Sequence, residues 1–304
     1  MSPKERAIAA LELREPDDIV PTFELEFQLT RELLGKDFKD LSGLSGKELD
    51  MAIGYNAELY LEIAETFDYS IIRTGDLRIL RKLVEMGADR RYLLCGEADG
   101  TLAIPDGKNM VELSVRLFEE PDQLKRELDL AADRAIEWGK VQIDSGAECL
   151  TMCADYCFNH GPFLSPKMFS EFVTPYLHRI IEAHKENGAY VIKHTDGNIM
   201  PILDQLVSCG PHALHSIDPQ AKVDLGEVKR LVGDKVCLAG NVNCGLLQTG
   251  TDEEVKADIL RSLRDGMPGG GYIFCTSNVA FKGMPPERYM LMMEMRRAYG
   301  RYRR

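Results

Sequence analysis

The chain of 304 residues lacks most of what would tie it to nucleic acid, a membrane or an oxidising compartment. Its 37 Lys and Arg are outnumbered by 49 Asp and Glu, and its one basic cluster, Arg301-Tyr302-Arg303-Arg304, reads as a solvated end. Nucleic acid and anionic lipid are bound by basic patches, so a formal charge of -12 argues against either as the main partner. No uninterrupted apolar run approaches the ~20 residues of a membrane span. The opening Met1-Ser2-Pro3-Lys4-Glu5-Arg6 carries no apolar signal region. The eight cysteines contain no CxxC pair and mostly fall within or beside strand and helix patterns, which fits reduced thiols in a soluble, cytoplasmic protein. No GxGxxG follows the first strand pattern, so dinucleotide binding is not expected. Internal repeats, linkers and low-complexity stretches are also missing.

What is present is a composition 44% hydrophobic, enough for a large core, arranged as short β-rich runs alternating with amphipathic stretches. After a first helix over about Pro3 to Leu13, strands are predicted near Ile19 to Phe27, Tyr69 to Thr74, Glu148 to Ala154, Tyr190 to His194, Ala213 to Ile217, Val236 to Ala239 and Gly271 to Phe274. Helices are predicted over Gly54 to Thr66, Pro121 to Asp144, Pro166 to Asn187, Ile199 to Val207, Leu225 to Val232, Thr251 to Asp265 and Pro285 to Tyr299. Ser165-Pro166 and Thr251-Asp252-Glu253-Glu254 carry start signals, a capping side chain or acidic first turn that satisfies free N–H groups. Tyr92 to Ile104, with Gly96 and Asp99-Gly100 between apolar runs, is predicted as an inserted β-hairpin. The expected fold is α/β, a single (β/α)8 TIM-type barrel over 1–304 carrying that hairpin.

Five of the apolar strand patterns end in polar groups, at Asp155, at His194-Thr195-Asp196-Gly197-Asn198, at Asp218, at Asn241-Val242-Asn243 and at Ser277-Asn278. In a parallel barrel such ends meet at one mouth, where active sites form. His194 and Asp196 can converge on an ion or substrate, with Gly197 letting the backbone approach closely. The blander alternative has His194 bonding a carbonyl and Asp196 capping the helix near Ile199. Asp155 can orient a ligand or act as a base, or simply brace its loop. Glu24 and Glu26 alternate with Phe23, Leu25 and Phe27, so both should point the same way, into the lumen or outward. If inward, their burial demands a metal, a cation or hydrogen-bond partners. Cys149, Cys153, Cys157 and Cys275 can bind a soft metal such as zinc, or fill the core.

These residues together resemble the uroporphyrinogen decarboxylase superfamily, particularly its branch of corrinoid-linked methyltransferases. The segments that carry the resemblance run from Ser2-Pro3-Lys4-Glu5-Arg6 to Val20-Pro21, and include Leu164 to Phe169, His194 to Asn198, Leu238 to Val242 and Gly270 to Phe274. True decarboxylases of this superfamily carry an Arg-Gln-Ala-Gly-Arg-Tyr element after the first strand. Here that region reads Pro21-Thr22-Phe23-Glu24-Leu25-Glu26-Phe27-Gln28, acidic where a polycarboxylate tetrapyrrole needs cations.

The thiol-activating branch holds zinc with His-x-Cys and a later Cys. By position His194 matches the histidine, Asp196 stands for the first cysteine and Asn278 for the second, so the soft ligands are gone. The resemblance therefore implies a methyltransferase that passes a methyl group from a small methoxylated or otherwise methylated compound to the cobalt of a separate corrinoid protein. His194, Asp155 and Glu24 are its expected catalytic residues, and Asp218, Asn241 and Asn278 the expected substrate contacts. His194 and Asp196 are expected metal ligands, with zinc the candidate ion. No Asp-x-His-x-x-Gly motif occurs, so the corrinoid is expected to come with a partner, docking against Tyr156 to Pro162 and Thr276 to Met284. The rival expectations are a cofactor-independent decarboxylase and a non-catalytic barrel that binds a metabolite or corrinoid.

Overall fold

In the computed structural model, residues 1–302 are described; Arg303 and Arg304 of the basic tail lie outside the described residues. Seven short parallel strands make one curled sheet, in the order β1 (Ile71–Arg73), β2 (Leu93–Glu97), β3 (Cys149–Met152), β6 (Tyr190–His194), β7 (Ala213–Ser216), β8 (Cys237–Val242) and β9 (Tyr272–Thr276). β4 (Cys157–Phe158) and β5 (Gly161–Pro162) form a separate antiparallel hairpin after β3. The gap between β9 and β1 is filled by the segment around Thr22. Phe274 N donates to Pro21 O at 2.9 Å on one side, and Ser70 N donates to Thr22 O at 2.7 Å on the other. That segment is the eighth stave of a (β/α)8 barrel.

Side chains alternate between lumen and helix layer, as the period of a strand requires. The lumen is packed by small and branched residues, among them Cys95, Cys149, Ile192, Cys237, Ile273 and Cys275. The first helix, Pro3–Leu11, sends Ala7, Ala10 and Leu11 into this same cluster and closes the N-terminal end. Its start is fixed by a capping box between Ser2 and Glu5. A second cluster fills the space between strands and outer helices. With the floor plugged, the strand C-termini form the open mouth.

Several sequence expectations are corrected. Residues 92–104 do not form a hairpin: Leu93–Glu97 is β2, paired in parallel with β1 and β3. Its partners lie far away in the chain, so the local Gly and Asp-Gly signals misled, and the inserted hairpin sits at Cys157–Pro162 instead. Ile19 to Phe27 is not a regular strand: Pro21 has no N–H to give a ladder, and the chain bends at Leu25. Glu24 is consequently buried while Glu26 is exposed, so the two glutamates do not share a face. The helix expected over 166–187 breaks at Val173, just before Pro175, into Pro166–Phe172 and Thr174–Glu186. The helix expected from Gly54 begins at Gly46, and four further helices, Thr30–Leu34, Leu77–Glu85, Met110–Glu119 and Cys244–Thr249, were not anticipated.

Candidate active site

His194 ends β6 on the lumen side and lies opposite His215 in the register of β7. Their Nδ1 atoms are 2.8 Å apart, so one ring donates and the other accepts. Both imidazoles are held neutral. Burial, then the neighbouring His215, Lys193 and Arg73, push His194 well below the ordinary histidine range. Burial pushes His215 down to about 3. Phe23 of the eighth stave packs edge-on against His215 at 5.8 Å between ring centres.

Two carboxyl groups stand around the free side of His194. Its Nε2 is 3.8 Å from Asp155 Oδ1 and 3.9 Å from Asp196 Oδ1. Asp196 N donates to Asp155 Oδ1 at 2.9 Å, and Gly197 N donates to Asp218 Oδ2 at 3.2 Å. Gly197 has a φ of +82°, and a Cβ there would sit 2.5 Å from Cys157 O, so only glycine lets the β4–β5 hairpin pack this closely. Asn278 Nδ2 donates to Asp196 Oδ2, while Asp196 Oδ1 is buried without a partner. Burial, then the charges of Asp155 and Asp218, raise Asp196 to about 7. The capping alternative for Asp196 does not hold, since Met200 N is taken by Asn198 Oδ1 at 3.1 Å.

One donor atom from each of Asp155, His194 and Asp196 lies within 4.8 Å of the others, a set that could hold a metal ion. A first-row divalent ion sits about 2.0–2.2 Å from such nitrogen and oxygen ligands. The donors therefore need to close only slightly, and the unpartnered Asp196 Oδ1 and neutral His194 Nε2 offer lone pairs for it. The residues fit a metal. The cysteines do not join them: burial pushes Cys153 up to about 11 and Cys157 to about 12, and Cys149 and Cys275 well above the ordinary range.

The remaining expected site residues divide. Asp218 caps the turn after β7 by accepting from Gln220 N at 2.9 Å, leaving its other oxygen for Gly197. Asn241 is fully buried and faces away from the mouth. Its Nδ2 donates to Ile217 O at 2.7 Å, and its Oδ1 accepts from Arg261 Nη1 at 3.0 Å and Ser262 Oγ at 3.2 Å. Those bonds lace β8 to the helix Asp252–Gly266. Glu24 joins a different group altogether: its Oε1 accepts from Thr276 N and Tyr289 OH, each at 3.3 Å, and its Oε2 from Thr276 Oγ1.

Two cations near the mouth escaped the sequence reading. Arg73, at the end of β1, spans the top of the lumen to Thr151 Oγ1 and Leu25 O, both at 2.9 Å, and pairs with Glu97. Lys193, fully buried on the outer face of β6, binds Asp99 Oδ2 at 3.1 Å and Ala154 O at 2.8 Å, and its Nζ lies 4.3 Å from the centre of the Tyr156 ring. Burial pushes Asp99 up, but Lys193 and the Thr101 and Ala154 bonds outweigh it and hold the carboxyl below its ordinary range. Each terminates an apolar run with a charge, the one signal the sequence offered.

A plugged parallel barrel with a His-Asp-Asp cluster at the strand C-termini defines the architecture of a TIM-barrel enzyme. The family profile described as Uroporphyrinogen decarboxylase (URO-D) matches residues 105–299, and the chain belongs to that family. A uroporphyrinogen decarboxylase of Pseudoalteromonas translucida is 28% identical over 180 residues, covering 56% of this chain and 47% of that one. One of Dechloromonas aromatica is 26% identical over 263 residues, covering 83% and 66%. The chain thus spans about half the length of several curated relatives it matches. Among solved structures, a methyltransferase from Methanosarcina mazei superposes with a TM-score of 0.75 at 16% identity, covering 98% of both chains, a likeness of fold.

Proposed function

We propose that the protein is a methyltransferase that moves a methyl group from a small methoxylated or otherwise methylated compound to the cobalt of a separate corrinoid protein. The carrying observation is the Asp155, His194, Asp196 cluster, an oxygen-rich donor set with one neutral imidazole. Bound there by these three residues, a divalent ion such as zinc would supply Lewis acidity for a leaving oxygen or nitrogen. Burial and the charge of Asp155 raise Asp196 to about 7, so it must shed its proton to hold the ion, and occupancy should fall toward acid pH. Asn278 fixes the carboxyl orientation, and Asp218 sets the Gly197 backbone beneath it. Eight free thiols and the lack of any described helix long and apolar enough to cross a membrane accord with a cytoplasmic setting.

Decarboxylation of a polycarboxylate tetrapyrrole is the second reading, favoured by the names of the curated relatives. Against it, the two cations near the mouth are each paired internally, Arg73 with Glu97 and Lys193 with Asp99. Few positive groups remain for the substrate's carboxylates. The deciding experiment incubates the protein with reduced cobalamin and a panel of methylated donors, following methylcobalamin absorbance, with carbon dioxide release from uroporphyrinogen as the parallel arm. Methylcobalamin formed by the wild type and lost in His194→Ala, at unchanged thermal stability, is the expected result. Carbon dioxide release without methyl transfer selects the second reading, and neither reaction leaves a binding barrel.

A further inference from the structure

Glu24 is 4% exposed, and its three hydrogen-bond donors, Thr276 N, Thr276 Oγ1 and Tyr289 OH, are all uncharged. A carboxyl group so buried and so surrounded has been given donors for its oxygens but no counter-charge. It lines a cavity of about 150 Å³ between the eighth stave, β1 and the helix Gly46–Phe67. Phe27, Phe38, Tyr60 and Tyr69 contribute rings to the walls, and the exposed Glu26 stands on the rim. Arg73 also borders the cavity, but its guanidinium is spent on Glu97, Thr151 Oγ1 and Leu25 O. None of Asp155, His194 and Asp196 lines it, so this space is separate from the His194 cluster.

Aromatic walls with an unpaired carboxyl on the floor and a second acid at the entrance complement a compact, weakly hydrated cation. We propose that this cavity is a binding site for a small alkylated ammonium ion, with the Glu24 carboxylate as counter-ion and the four rings as its walls. The size suits it: a cavity of about 150 Å³ takes a guest about the size of benzene, which admits a quaternary ammonium head and excludes a nucleotide or a tetrapyrrole. A neutral guest of equal shape leaves the carboxyl without its partner.

Burial holds Glu24 at about 8, so at neutral pH it must shed its proton to receive the cation. The ionisable groups facing it titrate elsewhere. Burial raises Tyr69, Tyr289 and Cys275 well above their ordinary ranges and raises Tyr60 and Cys244 as well, while Arg73 stays charged beside Glu97. Affinity should therefore climb about tenfold per pH unit on approaching 8 from below and level off above it.

The test is calorimetric titration of the whole chain with choline and with its uncharged carbon isostere 3,3-dimethylbutan-1-ol, from pH 6 to pH 9. Choline is expected to bind at least about tenfold more tightly than the isostere, releasing close to one proton at the acid end. Glu24→Gln should abolish both the preference and the proton release. Tyr60→Leu, which touches neither Glu24 nor the barrel interior, should weaken choline and spare the isostere, and it answers the question should Glu24→Gln fail to fold. Undetectable choline binding, equal binding of the two probes, or pH-independent affinity overturns the proposal. Binding alone is read, so the outcome does not depend on whether the protein transfers methyl groups.

Discussion

His215 Nδ1 lies 2.8 Å from His194 Nδ1, so His215 fixes which nitrogen of His194 is left to face Asp155 and Asp196. With Nδ1 of His194 donating, its Nε2 carries the lone pair that a metal would need. His215→Ala should weaken divalent-ion binding by about 10–100-fold, the usual effect of losing a ligand's orienting partner. Competition against a chromogenic chelator measures it, and wild-type affinity in the variant would remove His215 from any positioning role.

Gly197 is the tightest backbone position beside the cluster. A methyl group there must displace Cys157 O, 2.5 Å away, and occupy a φ of +82°. Gly197→Ala should cost about 1–3 kcal/mol of stability and loosen the β4–β5 hairpin. Urea unfolding reads the first effect and amide exchange at Cys157 and Phe158 the second; a variant as stable as wild type would show that the loop has room the structure does not display.

Glu24 makes stability depend on pH in a defined direction. Its folded value, about 8, lies above the 4.5 of an unfolded glutamate, so the folded chain holds a proton that the unfolded chain has lost. The contribution is complete below about pH 4.5 and is lost as pH rises through about 8. Glu24→Gln should flatten that slope, gaining on wild type steadily from pH 5 to pH 8. Parallel stability curves for the two proteins would mean that Glu24 is ionised in the fold.

Lys282 is exposed on the segment after β9, near the rim proposed to receive the corrinoid partner. Lys282→Glu should slow methyl transfer to a corrinoid protein far more than transfer to free cobalamin, with the difference shrinking at high salt. Equal slowing of both acceptors would place the effect in the barrel itself and not at a docking face.

Much of this was legible in the sequence, for a reason visible in β6. Val191, Ile192 and Lys193 form an apolar run ended by His194, and a run that stops on polar groups marks a strand's mouth end whatever its neighbours are. Asp155, Asp196, Asp218 and Asn278 were found the same way. Pairing was not legible. Cys95 meets Cys149 in register, more than 50 residues away, and nothing local says so. Arg73 and Glu97 were overlooked because their partnership exists only once β1 and β2 lie side by side. Asn241 sits at a strand end like the others, but Ser262 and Arg261 draw it back into the wall.

The eighth stave gives the molecule an assembly order. Glu24 and Thr276 are 252 residues apart, and the ladder sealing the barrel runs from Pro21 to Phe274. The stave cannot settle against both neighbours until β9 exists, so through most of synthesis its acidic stretch waits unpaired while the inner strands form. Closure is then a late, long-range event with a high entropic cost. Ligands that grip Glu24 would report on that seam, acting as fasteners between two stretches of chain 252 residues apart.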